Sequence, residues 1–111
     1  MKTIIAGGRD FNDTNLFNLA IKTLPITEVI SGCARGADTL AIDWANKNNI
    51  PLIKYPADWN TYGKSAGYIR NIEMLKNAEQ LLAFWDGYSK GTEHMIKQAT
   101  KKGLRIAVIA Y

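Results

Sequence analysis

Short apolar runs alternate along the chain with longer stretches whose apolar residues recur at helical spacing, and this alternation restricts the fold more than any other feature. The runs are Thr3-Ile4-Ile5-Ala6, Glu28-Val29-Ile30, Leu52-Ile53-Lys54-Tyr55, Leu81-Leu82-Ala83-Phe84 within Glu79 to Trp85, and Ile106-Ala107-Val108-Ile109. Apolar at nearly every position, they read as strands covered on both faces. Between the first two, Asp13 or Asn12 can cap a helix whose Leu16, Leu19, Ala20 and Leu24 keep the helical period up to Pro25. Ala37, Leu40, Ala41, Trp44 and Ala45 form one stripe of a second helix, which ends near Asn48-Asn49 ahead of Pro51. Ile69, Ile72 and Leu75 set the buried face of a third; a fourth starts at Gly91-Thr92, buries Met95, Ile96 and Ala99, and stops at Gly103 as a C-cap. The stretch from Pro56 to Gly67 has no period and is long for a small domain. Strand-helix alternation gives a parallel sheet with right-handed crossovers. The expected fold is therefore an α/β Rossmann-like three-layer sandwich, a five-stranded parallel sheet of order 3-2-1-4-5 with four helices, forming a single domain over residues 1–111.

At 111 residues the chain can bury a real core but has no room for a separate substrate domain. No run approaches the roughly 18 apolar residues of a membrane span, and Met1-Lys2-Thr3-Ile4-Ile5 leads into glycines as a strand does, so the expectation is a cytoplasmic protein with no membrane partner. The lone Cys33 excludes an internal disulfide and a cysteine metal site and reads as a small loop residue. His94 lacks a His, Cys or carboxylate partner at metal spacing and reads as a solvent-facing helix residue; no metal and no cofactor are expected. The net charge of +4 suits an anionic partner, but the lysines are scattered along helices and no helix-turn-helix, zinc-finger or RNA-recognition signature accompanies them. Nucleic acid is thus a minor expectation.

Three glycine-bearing polar loops each sit where an apolar run ends and a helical pattern begins: Gly7-Gly8-Arg9-Asp10, Ser31-Gly32-Cys33-Ala34-Arg35-Gly36-Ala37-Asp38 and Asp86-Gly87-Tyr88-Ser89-Lys90-Gly91-Thr92. Glycine allows sharp turns and close approach to a ligand, and the first turn of a helix offers unpaired N–H groups suited to phosphate. In a 3-2-1-4-5 sheet the switch point lies between strands one and four, which brings the first and third loops together. A redox dinucleotide is disfavoured, because the first loop lacks Gly-x-Gly-x-x-Gly spacing and no acidic residue closes the second strand. No Gly-x-x-x-x-Gly-Lys-Ser/Thr phosphate loop is present either.

Taken in order, Ala-Gly-Gly-Arg-Asp-Phe, Ser-Gly-Cys-Ala-Arg-Gly-Ala-Asp, Ala-Gly-Tyr-Ile-Arg-Asn and Gly-Thr-Glu-His-Met resemble the SLOG superfamily over nearly the whole chain. More narrowly they resemble its YspA-like (cpYpsA-related) branch, relatives of the Lonely Guy phosphoribohydrolases and the Smf/DprA DNA-processing proteins. The resemblance implies a pocket for a nucleotide-derived ligand, with Gly7, Gly8, Arg9 and Asp10 at its floor and edge and Ser31, Gly32, Arg35, Gly36 and Asp38 along its side. Gly91 and Thr92 match the end of the Lonely Guy phosphate motif, with Asp86-Gly87 in place of its leading Pro-Gly, and Arg70, followed by Asn71, resembles that family's catalytic arginine. The same motif would put glutamate at position 95, where this chain has Met95, which can neither stabilise an oxocarbenium-like charge nor activate water.

Plainer readings stand beside these. The glycines can serve tight turns, Asp38 can be a first-turn helix carboxylate, Arg9 and Arg35 can be exposed, and Arg70 can pair with Glu73 on an exposed face. Trp59, Tyr62, Lys64 and Gly67 in the long stretch can close over a base or phosphate, and Trp85 at a strand end can stack or pack. The leading expectation is binding of a nucleotide or nucleotide-derived molecule, ADP-ribose-like in class, by a homo-oligomer whose neighbouring subunit covers the open side. The alternatives are a phosphoribohydrolase or nucleosidase that recruits Asp10, Asp38 or Asp86 as its carboxylate, with Arg70 as catalytic candidate, and a DprA-like DNA-associated protein.

Overall fold

The computed structural model of the protein describes residues 1–111. Five strands, β1 (Lys2–Gly7), β2 (Glu28–Ser31), β3 (Leu52–Lys54), β4 (Gln80–Trp85) and β5 (Arg105–Ala110), form one sheet of order β3-β2-β1-β4-β5. Every pairing is parallel, with Ile4 opposite Ile30 on one side and Leu81 on the other. The α/β Rossmann-like sandwich and strand order expected from the sequence are what the chain adopts.

Because successive strand residues point to opposite faces, each central strand feeds two cores. Ile5, Val29, Leu82 and Phe84 pack with Phe17, Ala20 and Ile21 of α1 (Thr14–Ile21) and Ala37, Ala41 and Ala45 of α2 (Ala37–Lys47). On the other face Ile4, Ile30, Leu81 and Ala83 pack with Met74 and Leu75 of α4 (Ala66–Leu75) and Met95 and Ala99 of α5 (Lys90–Lys102). At about 1.5 to 3 kcal/mol for each large apolar side chain buried, this two-sided burial is what makes β1 and β4 the rigid centre.

Asp13 caps α1 by accepting from the Leu16 N–H at 3.0 Å, and Gly103 ends α5 in the left-handed conformation at φ 79°. Several local expectations are corrected. The α1 stripe is Phe17, Ala20 and Ile21, and Leu19 is 65% exposed, since it lies roughly 200° around the helix from Phe17. The helix stops at Ile21 rather than running to Leu24. In α4 the buried positions are Ala66, Asn71, Met74 and Leu75, and Ile72 is 40% exposed; a polar residue, Asn71, occupies the inward face. The stretch from Pro56 to Gly67 is largely ordered as a one-turn helix, α3 (Trp59–Tyr62), and a 3-10 turn over Gly63–Ser65 that runs straight into α4. Asp58 starts it by accepting from the Thr61 N–H at 3.1 Å. No helix is long and apolar enough to cross a membrane.

Candidate functional site

The carboxyl ends of β1 and β4 open onto a polar cavity of about 520 Å³. Its walls come from the β1–α1 loop, the start of α2, α3 with the turn after it, α4, and the β4–α5 loop. A second hollow of about 490 Å³ adjoins it and shares Arg9, Ala34, Trp59 and Arg70.

The first loop is held rigidly by its own sequence. Gly8 N–H donates to the Phe84 carbonyl at 3.2 Å, and the Gly8 carbonyl accepts from Phe11 N–H at 3.2 Å and from Ala37 N–H at 3.4 Å. Phe11 is buried and stacks on Phe84 with centroids 4.5 Å apart, so an aromatic anchor pins the loop to β4. Asp10 accepts from the Tyr111 hydroxyl at 2.8 Å, tying the loop to the chain end after β5. In the second loop Gly36 sits at φ 75° directly against the Gly8 and Arg9 backbone, where a Cβ would collide; glycine is required for the two loops to meet. In the third, Asp86 Oδ1 accepts from the Tyr88 and Ser89 N–H groups, both at 2.8 Å, and these bonds hold its carboxyl below the usual carboxylate range.

The cationic groups are arranged differently. Arg70 Nη1 donates to the Gly32 carbonyl and its Nε to Asn71 Oδ1 at 3.2 Å. Burial lowers its pKa, opposed by the nearby Asp38 charge. Arg9 lies over the Trp59 ring, 5.9 Å from the centroid. Both salt bridges in the molecule, Lys76 to Glu73 at 3.1 Å and Lys97 to Glu93 at 2.8 Å, are on exposed faces of α4 and α5. Arg9, Lys64 and Arg70 therefore face the cavity with no carboxylate paired to them. At the start of α5, Ser89 caps the Thr92 N–H at 3.5 Å and its hydroxyl meets Thr92 Oγ1 at 3.2 Å, while the Lys90 and Gly91 N–H groups have no acceptor within the protein.

Asp38 is the one buried carboxylate, 6% exposed, and it lines the cavity. Oδ2 accepts from Ala34 N–H at 2.9 Å. Burial pushes its carboxyl above the usual range, and the Ala34 N–H and the charges of Arg70 and Arg9 pull it back.

Of the residues expected at a site, Gly7, Gly8, Arg9, Asp10, Asp38, Trp59, Lys64, Arg70, Asn71, Asp86, Gly91 and Thr92 line the first cavity, and Gly32 and Arg35 line the second hollow. Four line neither hollow. Ser31 is fully buried and its Oγ accepts from Cys33 N–H; Gly36 makes the loop contact just described. Trp85 Nε1 donates to the Ser89 carbonyl at 3.1 Å, and Gly87 turns the backbone at φ 87°. The exposed Arg70–Glu73 pair does not form: Glu73 takes Lys76, and Arg70 turns inward to Gly32.

His94 is likewise not a solvent-facing bystander. Its ring stacks on Tyr68 with centroids 4.4 Å apart, and Asn71 Nδ2 bridges His94 Nδ1 at 3.2 Å and the Gly91 carbonyl at 3.3 Å. Sequence reasoning missed Tyr68 and Ser89, which line the cavity. Ser89 was findable as an N-cap three residues before Thr92, and Tyr68 stands in the Ala-Gly-Tyr-Ile-Arg-Asn motif, two residues before Arg70. No cluster of His, Cys, Asp and Glu is placed to hold a metal ion.

A doubly covered parallel sheet with a polar crevice at its switch point defines a Rossmann-like α/β architecture. A profile described as the YspA, cpYpsA-related SLOG family matches residues 1–62, and the chain belongs to that family. "Gene 61 protein" of Mycobacterium phage D29 is 42% identical over an alignment of 84 residues, and the match covers 70% of this chain and 67% of that protein. No solved structure matches.

Proposed function

We propose that the protein binds a nucleotide or nucleotide-derived molecule, ADP-ribose-like in class, with its phosphate gripped between Arg9, Lys64, Arg70 and the N-terminus of α5, and that it acts by sensing or sequestering that ligand. One observation carries this reading: three cations and the free Gly91 N–H at the start of α5 converge on one cavity, and none of the cations forms an ion pair with a carboxylate of the protein. A buried or half-buried guanidinium without a carboxylate is costly, and a bidentate phosphate relieves it. Membership of the SLOG family supports a nucleotide-related ligand. Trp59, already beneath Arg9, offers a face for a base. Titration calorimetry of the purified chain against AMP, ADP-ribose and cyclic nucleotides tests the reading. Heat with at least one of them is expected, and no heat with any overturns it.

N-glycosidic cleavage is the competing reading, and Asp38 is the observation in its favour: a carboxyl with a raised pKa in the cavity wall is the kind of group that exchanges protons. Met95, which lines the same cavity, supplies no carboxylate, so binding is preferred. Chromatographic detection of free base and ribose 5-phosphate on incubation with nucleoside monophosphates would reverse that preference. We also propose a homo-oligomer, since Trp59, Tyr62, Tyr68 and Ile72 leave apolar surface exposed on α3 and α4; light scattering at the monomer mass would overturn this.

A further inference from the structure

The cavity is rich in donors and has one inward-facing acceptor that the protein leaves half used. Asp38 Oδ2 accepts from Ala34 N–H, but Oδ1 accepts from nothing, and neither Arg70 nor Arg9 forms an ion pair with it. The other two cavity carboxylates are less firmly held in the wall: Asp10 is exposed and Asp86 is only partly covered. Asp38 is buried, and what it leaves open is cavity wall. A donor brought by a ligand to that open oxygen gains a charge-assisted hydrogen bond that the protein itself does not supply. A phosphate brings only oxygens and is repelled by a carboxylate. The complementary group is a hydroxyl, and in a phosphate-bearing nucleotide the hydroxyls nearest the phosphate are those of the sugar.

We propose that Asp38 is a specificity-determining residue that accepts a hydrogen bond from a ribose hydroxyl, so that the site selects ribonucleotide-type ligands over their deoxy counterparts. This rests on the phosphate-binding reading of the same cavity. The division of labour is spatial: cations on the β1–α1 loop, the turn before α4 and α4 itself take the phosphate, and the carboxylate at the first turn of α2 takes the sugar. A site built around a hydroxyl donor discriminates strongly, because the analogue lacking it leaves the acceptor desolvated and unpaired.

The test is calorimetry of the full chain with AMP, 2′-deoxy-AMP and 3′-deoxy-AMP, alongside inorganic phosphate and ADP-ribose. AMP is expected to bind at least about ten-fold more tightly than one of the two deoxy analogues. In Asp38→Asn the amide oxygen keeps the Ala34 bond and turns an NH2 to the cavity, so the ratio is expected to fall to about three-fold or less. Equal affinity of wild-type protein for all three overturns the proposal, whether or not the variant folds, and leaves the phosphate-binding reading standing. An undiminished ratio in folded Asp38→Asn overturns it too, by assigning the selection to another group. Absence of AMP binding overturns it outright; the phosphate-binding reading falls with it only if ADP-ribose and cyclic nucleotides also give no heat.

Discussion

Arg70 Nη1 donates to the carbonyl oxygen of Gly32 across 38 residues of sequence, joining α4 to the β2–α2 loop. The contact depends on glycine at the receiving end, because a Cβ on Gly32 would meet the guanidinium itself. The same arginine anchors on Asn71 Oδ1, so it fixes one wall of the cavity while its charge remains unpaired. Arg70→Ala is expected to cost about 1 to 3 kcal/mol in urea unfolding, through the orphaned Gly32 and Asn71 oxygens. It is also expected to abolish the rise in melting temperature that a bound nucleotide produces. Arg70→Lys should recover part of the ligand effect and little of the stability, since an ammonium cannot reproduce the guanidinium fork.

Gly36 tests the junction of the first two loops. Its φ of 75° and its position against the Gly8 carbonyl leave a side chain no room. Gly36→Ala is expected to destabilise the fold by at least about 2 kcal/mol, combining a left-handed alanine with a backbone collision. Denaturant midpoints measured against wild type check this. A loss under about 0.5 kcal/mol would mean the loops do not meet as described.

His94 gives the structure a pH signature. Because Asn71 Nδ2 is a donor, His94 Nδ1 must accept, which puts the ring proton on Nε2 and makes further protonation unfavourable. Burial, and secondarily the charge of Lys101, lowers its pKa from 6.5. The unfolded chain then binds a proton more readily than the folded one, so this contribution to stability is complete above the ordinary histidine range and is lost on acidification through it. The melting temperature of wild type should fall by a few degrees more between about pH 7.5 and about pH 5.5 than that of His94→Gln, whose carbonyl still accepts from Asn71. Parallel pH profiles for the two proteins would show that His94 is not the titrating group.

Strand order was legible in the sequence because a doubly buried parallel sheet leaves continuous apolar runs, and Gly7, Gly91 and Thr92 were legible because switch-point loops sit at fixed places in that order. What stayed hidden is what depends on how each helix is rotated. Asn71 breaks the apolar stripe of α4, so a period drawn through Ile69, Ile72 and Leu75 set the face about one position out of phase. That error concealed the turn of Arg70 toward Gly32 and the stack of Tyr68 on His94. Polar residues on an inward face defeat hydropathy patterns, and they are the residues with which this chain builds its cavity wall. Ser31 and Trp85 show the opposite: both are near the crevice in sequence, yet neither lines it, and their polar atoms are spent on backbone partners.

Gly91 separates folding from binding. An added Cβ there meets nothing within 4 Å, its φ is not in the left-handed region, and it lies in the first turn of α5. Gly91→Ala is therefore expected to leave stability unchanged or raise it by up to about 1 kcal/mol, because alanine loses less backbone freedom in a helix. The same methyl group projects at the end of α5 where the Lys90 and Gly91 N–H groups are unpaired, and it would keep a phosphate from approaching them closely. Nucleotide affinity should fall by roughly ten-fold or more in a protein that melts no earlier than wild type. A variant that is more stable and binds equally well would show that phosphate does not reach the α5 N-terminus, and would shift the grip to Arg9, Lys64 and Arg70 alone.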